Sequence, residues 1–115
     1  MTTDPLPNPE FSGRDISVLS GHARKASDTL KALSHETRLL ILWLLSENER
    51  SVSELEELLE LPQAAVSQQL ARLRLDRMVG TRREGRMIYY SISNPDVSAI
   101  VESLYALLCR QDAVP

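Results

Sequence analysis

Apolar and small residues recur at Ile16, Leu19, Ala23, Ala26, Leu30 and Leu33, alternating steps of three and four, which predicts a helix with a narrow seam. Such a seam suits an amphipathic helix lying on its own domain or a contact between two copies. A second helix follows Ser34, which is placed to cap it, with Glu36 in its first turn. Its run from Leu39 to Leu45 is apolar on every side, as expected of a helix at the centre of a small domain, and Trp43 reads as core. Glu47 to Arg50 forms a polar connection. Ser51 or Ser53 then caps a short third helix, with Val52, Leu55, Leu58, Leu59 and Leu61 on one face. Glu54, Glu56, Glu57 and Glu60 make its solvated face.

Pro62 stands at the first position of a fourth helix or just before it, so the third and fourth helices are joined by a tight turn. In the fourth helix Val66, Leu70 and Leu73 fix the inward face. The outward face is then Ala64, Ala65, Ser67, Gln68, Ala71 and Arg72, polar yet small enough to approach another surface closely. After Gly80 the period changes from helical to alternating: Ile88, Tyr90 and Ile92 point one way, Met87, Tyr89 and Ser91 the other. Strands at about residues 79–83 and 86–92, with Glu84-Gly85 at the turn, predict a hairpin tipped by arginines. Asn94-Pro95-Asp96 opens a last helix with Val97, Ile100, Val101, Leu104, Leu107 and Leu108 in a broad apolar stripe. The first and last helices carry more apolar surface than so small a domain covers easily.

With 115 residues and 43% hydrophobic content, the chain fits one domain with a small core. Residues 1–13 are proline-rich and polar and read as a disordered arm, residues 14–111 as the folded domain, and 112–115 as a tail. The start has no basic region followed by an apolar core, and no stretch is apolar enough to cross a bilayer, so a soluble cytoplasmic protein with no membrane association is expected. Charge sharpens the picture. The net charge is −3, yet six of the 13 basic residues fall between Gln63 and Ser91: Arg72, Arg74, Arg77, Arg82, Arg83 and Arg86, opposed there only by Asp76 and Glu84. A basic face on an otherwise acidic chain suits a polyanion held on one side.

A helix with a small polar outward face, preceded by a tight turn and followed by an arginine-tipped hairpin, is the pattern of a winged helix-turn-helix. The major groove of DNA admits one helix, and glutamine pairs bidentately with adenine. Gln68 therefore reads a base edge, Ser67 serves a base or a phosphate, and Gln69 on the flank reaches a base or a phosphate. Gln63 and Ala64 approach the duplex at the start of the helix, and alanines there suit thymine methyls. Arg72 lies on the same face, while Arg82, Arg83 and Arg86 suit the phosphate backbone or the minor groove. Arg74 and Arg77 are phosphate contacts, partners of the acidic third helix, or neither. A rival reading uses the same face to hold an acidic protein. Paired catalytic carboxylates, a nucleophile with its base and a glycine-rich phosphate loop are all missing, so no enzyme is expected.

The segments LKALSHETRLLILWLL and SVSELEELLELPQAAVSQQLARLRLDRMVGTRREGRMIYYSIS, with the final amphipathic helix, resemble the ArsR/SmtB family of bacterial winged-helix repressors over about residues 15–110. The resemblance rests most on Ala65-Val66-Ser67-Gln68-Gln69-Leu70 with Leu73 and Val79. It implies a mainly α fold of five helices and a two-stranded wing, a homodimer joined through the first and last helices, and repression from an imperfect palindrome in double-stranded promoter DNA. Many relatives sense metals through a Cys-x-Cys pair on the third helix or Asp, His and Glu clusters on the last. This chain has neither, and His22, His35 and Cys109 have no motif spacing, so no metal or other cofactor is expected. His35 reads as a helix-start residue and His22 as a surface or interface residue. The chain resembles most the sulfide- and persulfide-responsive branch, which uses two cysteines, one on the second helix and one near the end of the last. Cys109 stands at the second place and Trp43 at the first. A cross-link within one subunit needs two thiols, so Cys109 is either a redox switch by persulfidation, glutathionylation or bonding to another subunit, or an inert helix residue of a repressor without a chemical inducer.

Overall fold

The computed structural model describes residues 15–112, so the arm expected at residues 1–13 and the tail beyond Asp112 lie outside the described residues. Five helices and three short strands follow in the order α1 (Ile16–Leu33), α2 (Glu36–Glu47), β1 (Arg50–Ser51), α3 (Val52–Leu59), α4 (Gln63–Leu75), β2 (Val79–Glu84), β3 (Met87–Ile92) and α5 (Pro95–Asp112). The chain divides into two units, one up to Lys31 and one from Ala32 onward. In the first unit α1 is a regular helix on which Ile16, Val18 and Leu30 are exposed.

The second unit has a core of Ala32, Leu33, Ile41, Leu42, Leu45, Leu55, Val66, Leu70, Leu73, Met78, Val79, Val97 and Val101, so every element from α2 to α5 except β1 and β3 contributes at least one buried apolar residue. Trp43, Leu39, Leu44, Tyr90 and Ile92 pack against it partly buried. Trp43 is thus at the edge of the core. Its indole Nε1 donates to the Val101 carbonyl at 2.7 Å, and its ring meets Tyr105 edge-on with centroids 6.1 Å apart. The second helix starts one residue later than Ser34 allows: His35 is the N-cap, in extended backbone, and its side chain makes no capping hydrogen bond.

The polar connection after α2 is partly a strand. Arg50 and Ser51 pair with Tyr90 and Tyr89, so the sheet has three antiparallel strands in the order β1-β3-β2, where the sequence pattern suggested two. Two residues are too few to show alternation, which is why β1 escapes a pattern search. Arg50 also donates to the Leu44 carbonyl and pairs with Glu47 at 2.9 Å, tying the end of α2 to the strand. Ser51 then caps α3 in a capping box: its Oγ accepts from the Glu54 N–H, while the Glu54 carboxylate accepts from the Ser51 N–H at 2.8 Å.

The turn into α4 spans Glu60 to Pro62. Glu60 is left-handed (φ 56°), the Leu61 N–H reaches back to the Glu56 carbonyl, and the Pro62 carbonyl accepts the first helical bonds from Ala65 and Val66. Pro62 is the N-cap, just ahead of the helix. The other end of α4 closes in a Schellman arrangement: Arg77 is left-handed (φ 61°) and donates to Arg74, while Met78 donates to Leu73 at 2.9 Å and is itself buried. Arg77 thus sets the exit from α4 into β2 through its backbone, a role that asks nothing of its guanidinium.

Candidate nucleic-acid interface

Val66, Leu70 and Leu73 are completely buried, and that fixes the rotation of α4. Positions one hundred degrees apart then leave Ala64, Gln68, Ala71 and Arg72 exposed, with Ala65, Ser67 and Gln69 half-buried beside them. The outward face read from the sequence is the face the fold presents. Gln63 is exposed at its start. Arg72 Nε donates to Asp76 at 3.2 Å, an exposed pair one turn apart whose strength in water is small, so the guanidinium remains available to a stronger anion.

The wing is built by the β2–β3 register, from Val79 opposite Ile92 to Glu84 opposite Met87. That register leaves Gly85-Arg86 as the two-residue turn, one residue beyond the Glu84-Gly85 expectation. Gly85 has φ +62° while Arg86 is not left-handed, the pattern of a type II′ hairpin turn, which needs glycine at its first central position. Arg83 and Arg86 are exposed at this tip, and Arg83 Nε donates to the Gly85 carbonyl at 3.3 Å. Arg86 and Gln63 line one concavity of about 370 Å³ with Ser53 and Met87, so the tip of the wing and the start of α4 border the same space.

Arg82 is engaged differently. Its Nε donates to both Glu49 carboxylate oxygens at 2.9 Å, its Nη2 donates to Oε1 of the same group, and its Cζ lies 4.8 Å from the centre of the Tyr89 ring. Glu84 stands 3.6 Å from the other side of the guanidinium. The hydrogen bonds from Arg82 hold the Glu49 carboxyl below the usual carboxylate range, and those to Glu49 raise Arg82. Of the three wing arginines named from the sequence, Arg83 and Arg86 stand at the tip, whereas Arg82 is braced across the sheet. No local pattern announces the Glu49 partner, which is 33 residues away and is brought close only by strand pairing.

A second concavity, about 420 Å³, lies between α2 and α4 and is lined by His35, Arg38, Gln68, Gln69, Ala71, Arg72 and Leu75. Two proposed base-side residues thus share a wall with Arg38, which sequence reasoning missed. The available signal was a lone cation in the first turn of an otherwise apolar helix.

Cys109 is exposed on α5, one turn beyond Tyr105, the residue that meets Trp43. Trp43 and Tyr105 also wall a cleft of about 310 Å³ with Leu40, Leu44, Leu58 and Glu102. Among the described residues no three His, Cys, Asp or Glu side chains gather as metal ligands, and no helix is long and apolar enough to cross a membrane.

Residues 35–80 match the model of the bacterial regulatory protein, arsR family. The transcriptional activator HlyU of Vibrio cholerae is 43% identical over 96 residues, covering 84% of this chain and 89% of that protein. The biofilm growth-associated repressor of Agrobacterium fabrum is 36% identical over 113 residues, 97% of each chain. Among solved structures, reduced HlyU from Vibrio cholerae superposes with a TM-score of 0.76 at 45% identity, covering 79% of this chain and 96% of that one.

Proposed function

Since this chain belongs to the ArsR family of bacterial regulatory proteins and is a DNA-binding transcriptional regulator, we propose that it works as a cytoplasmic repressor, binding an imperfect palindrome in promoter DNA as a homodimer. The observation that carries this reading is the polar, small-residue face of α4, exposed opposite a wholly buried stripe and flanked by an arginine-tipped wing. In it Gln68 and Ser67 read base edges from the major groove, Gln63, Ala64 and Gln69 adjoin them, and Arg72, Arg83 and Arg86 neutralise phosphates. Arg82 serves the same phosphates only by giving up Glu49, so its first role is to brace the wing.

Family members are generally dimeric, and the exposed apolar residues Ile16 and Leu30 on α1 and Tyr105, Leu107 and Leu108 on α5 support joining two copies through these helices. Two recognition helices then meet half-sites about 34–36 Å apart, one duplex turn. Capture of genomic fragments on the purified protein tests this: the recovered fragments share an inverted repeat with that spacing. Recovery of fragments with no common element would contradict it.

Release by modification of Cys109 completes the reading. Its exposure and its place one turn from Tyr105 support access of a persulfide or oxidant and a route from the thiol to α2. Mass analysis of treated protein beside its DNA affinity decides the point, because unchanged affinity with fully modified Cys109 leaves a repressor without a thiol switch.

A further inference from the structure

Arg38 stands in the first turn of α2, where the exposed N–H groups of a helix already make the surroundings positive and a cation is disfavoured. Its Nε is buried and has no hydrogen-bond partner among the described residues. A buried donor without an acceptor is costly, and native proteins rarely leave one unless something outside the chain completes it. Two further features surround the same spot. Arg38 and His35 line one open concavity with Gln69 and Arg72 of α4, and no carboxylate lines it. Gln68, exposed on the outward face of α4, borders it.

A half-buried arginine with an unpartnered Nε–H at the start of a helix, and a second arginine across the gap, suit a phosphate oxyanion. We propose that this concavity seats a backbone phosphate of the bound duplex, with the Arg38 side chain turning toward it on binding to donate its Nε–H to a phosphate oxygen and Arg72 flanking it from α4. The inference rests on the reading of α4 as the DNA-facing helix and extends it: α2 becomes a second anchor that sets the rotation of α4 in the groove, so that Gln68 meets its base. The occupant is a phosphate of the DNA backbone, since the space is continuous with the outward face of α4 and open along it.

The test uses operator duplexes recovered by the wild type, each carrying one neutral methylphosphonate at a successive position. Wild-type affinity falls about tenfold at the phosphate that Arg38 contacts. Arg38→Met binds the unmodified operator more weakly than the single methylphosphonate makes the wild type bind, is insensitive to the substitution at that position, and shows a salt slope smaller by about 1.8, about 0.9 for the phosphate lost in each half-site. Arg38→Lys keeps the slope. A variant-free measurement stands beside these: the Arg38 Nε–H resonance of the wild type shifts and exchanges more slowly when the operator is added. Full salt slope and undiminished sensitivity at every position in Arg38→Met would overturn the assignment, as would an unmoved Nε–H resonance. A saturable shift of that resonance with inorganic phosphate alone, at constant ionic strength, would overturn it in favour of a free anion. Wild-type protein that prefers no fragment would instead remove the DNA reading beneath it, so the two failures are distinguishable.

Discussion

Gln68 and Arg83 lie within one basic segment, yet the roles proposed for them rest on different physics, and substitution separates them. A bidentate contact to a base edge discriminates by about 1–3 kcal/mol, so Gln68→Ala loses that much per half-site of the operator and almost nothing on random DNA. Quantitative binding to both duplexes checks this, and equal loss on both would refute base reading by Gln68. Arg83→Ala and Arg86→Ala weaken binding to every sequence, and each lowers the salt slope by about two, one contact per protomer of the proposed dimer, measured by titration across ionic strength. The difference among the arginines was only partly legible in the sequence. Composition shows a cluster of positive charge, but an arginine braced on a distant carboxylate and one projecting from a turn are spelled alike. Glu49 becomes the partner of Arg82 through β-sheet pairing, and Arg38 comes to line one concavity with Gln68 through helix packing; neither arrangement has a local signature.

At the scale of elements, periodicity carried most of the fold. The stripe of Val66, Leu70 and Leu73 names a buried face, the alternation in β3 names the side on which Tyr90 and Ile92 pack while Ile88 stays exposed, and Ser51 with Glu54 spells a capping box. Ser51→Ala removes that box and costs about 0.5–2 kcal/mol, read from urea unfolding. The start of α2 and the strand β1 were not legible, because the N-cap of the first is a histidine whose side chain makes no capping bond and the second is two residues long. The wing carries its own pH dependence. Glu49 has a lowered pKa in the folded protein, so its contribution is complete above the ordinary carboxylate range and is lost as pH falls through the folded value. Carboxyl titration by NMR finds Glu49 below that range in the wild type and back within it in Arg82→Ala. An ordinary Glu49 in the wild type would show that the brace does not persist in solution.

On the whole-molecule scale, an acidic chain carries a local basic segment: α4 presents a polar face, the wing exposes Arg83 and Arg86, and α1 and α5 leave apolar residues exposed, which the proposed second copy would cover. Family membership and fold were legible from the Ala65–Leu70 segment and the helix-strand order, whereas what releases DNA was not, since a single cysteine spells a switch and an inert helix residue alike. Two half-sites read together make specificity multiply, so a dimer on its palindrome should exceed random DNA by far more than charge alone allows. The decisive measurement is a salt-titrated binding comparison between a captured promoter fragment and a random duplex of equal length. The account predicts at least about a thousandfold preference for the fragment at physiological salt. Equal affinity for the two, falling together as salt rises, would contradict sequence-specific regulation by this fold.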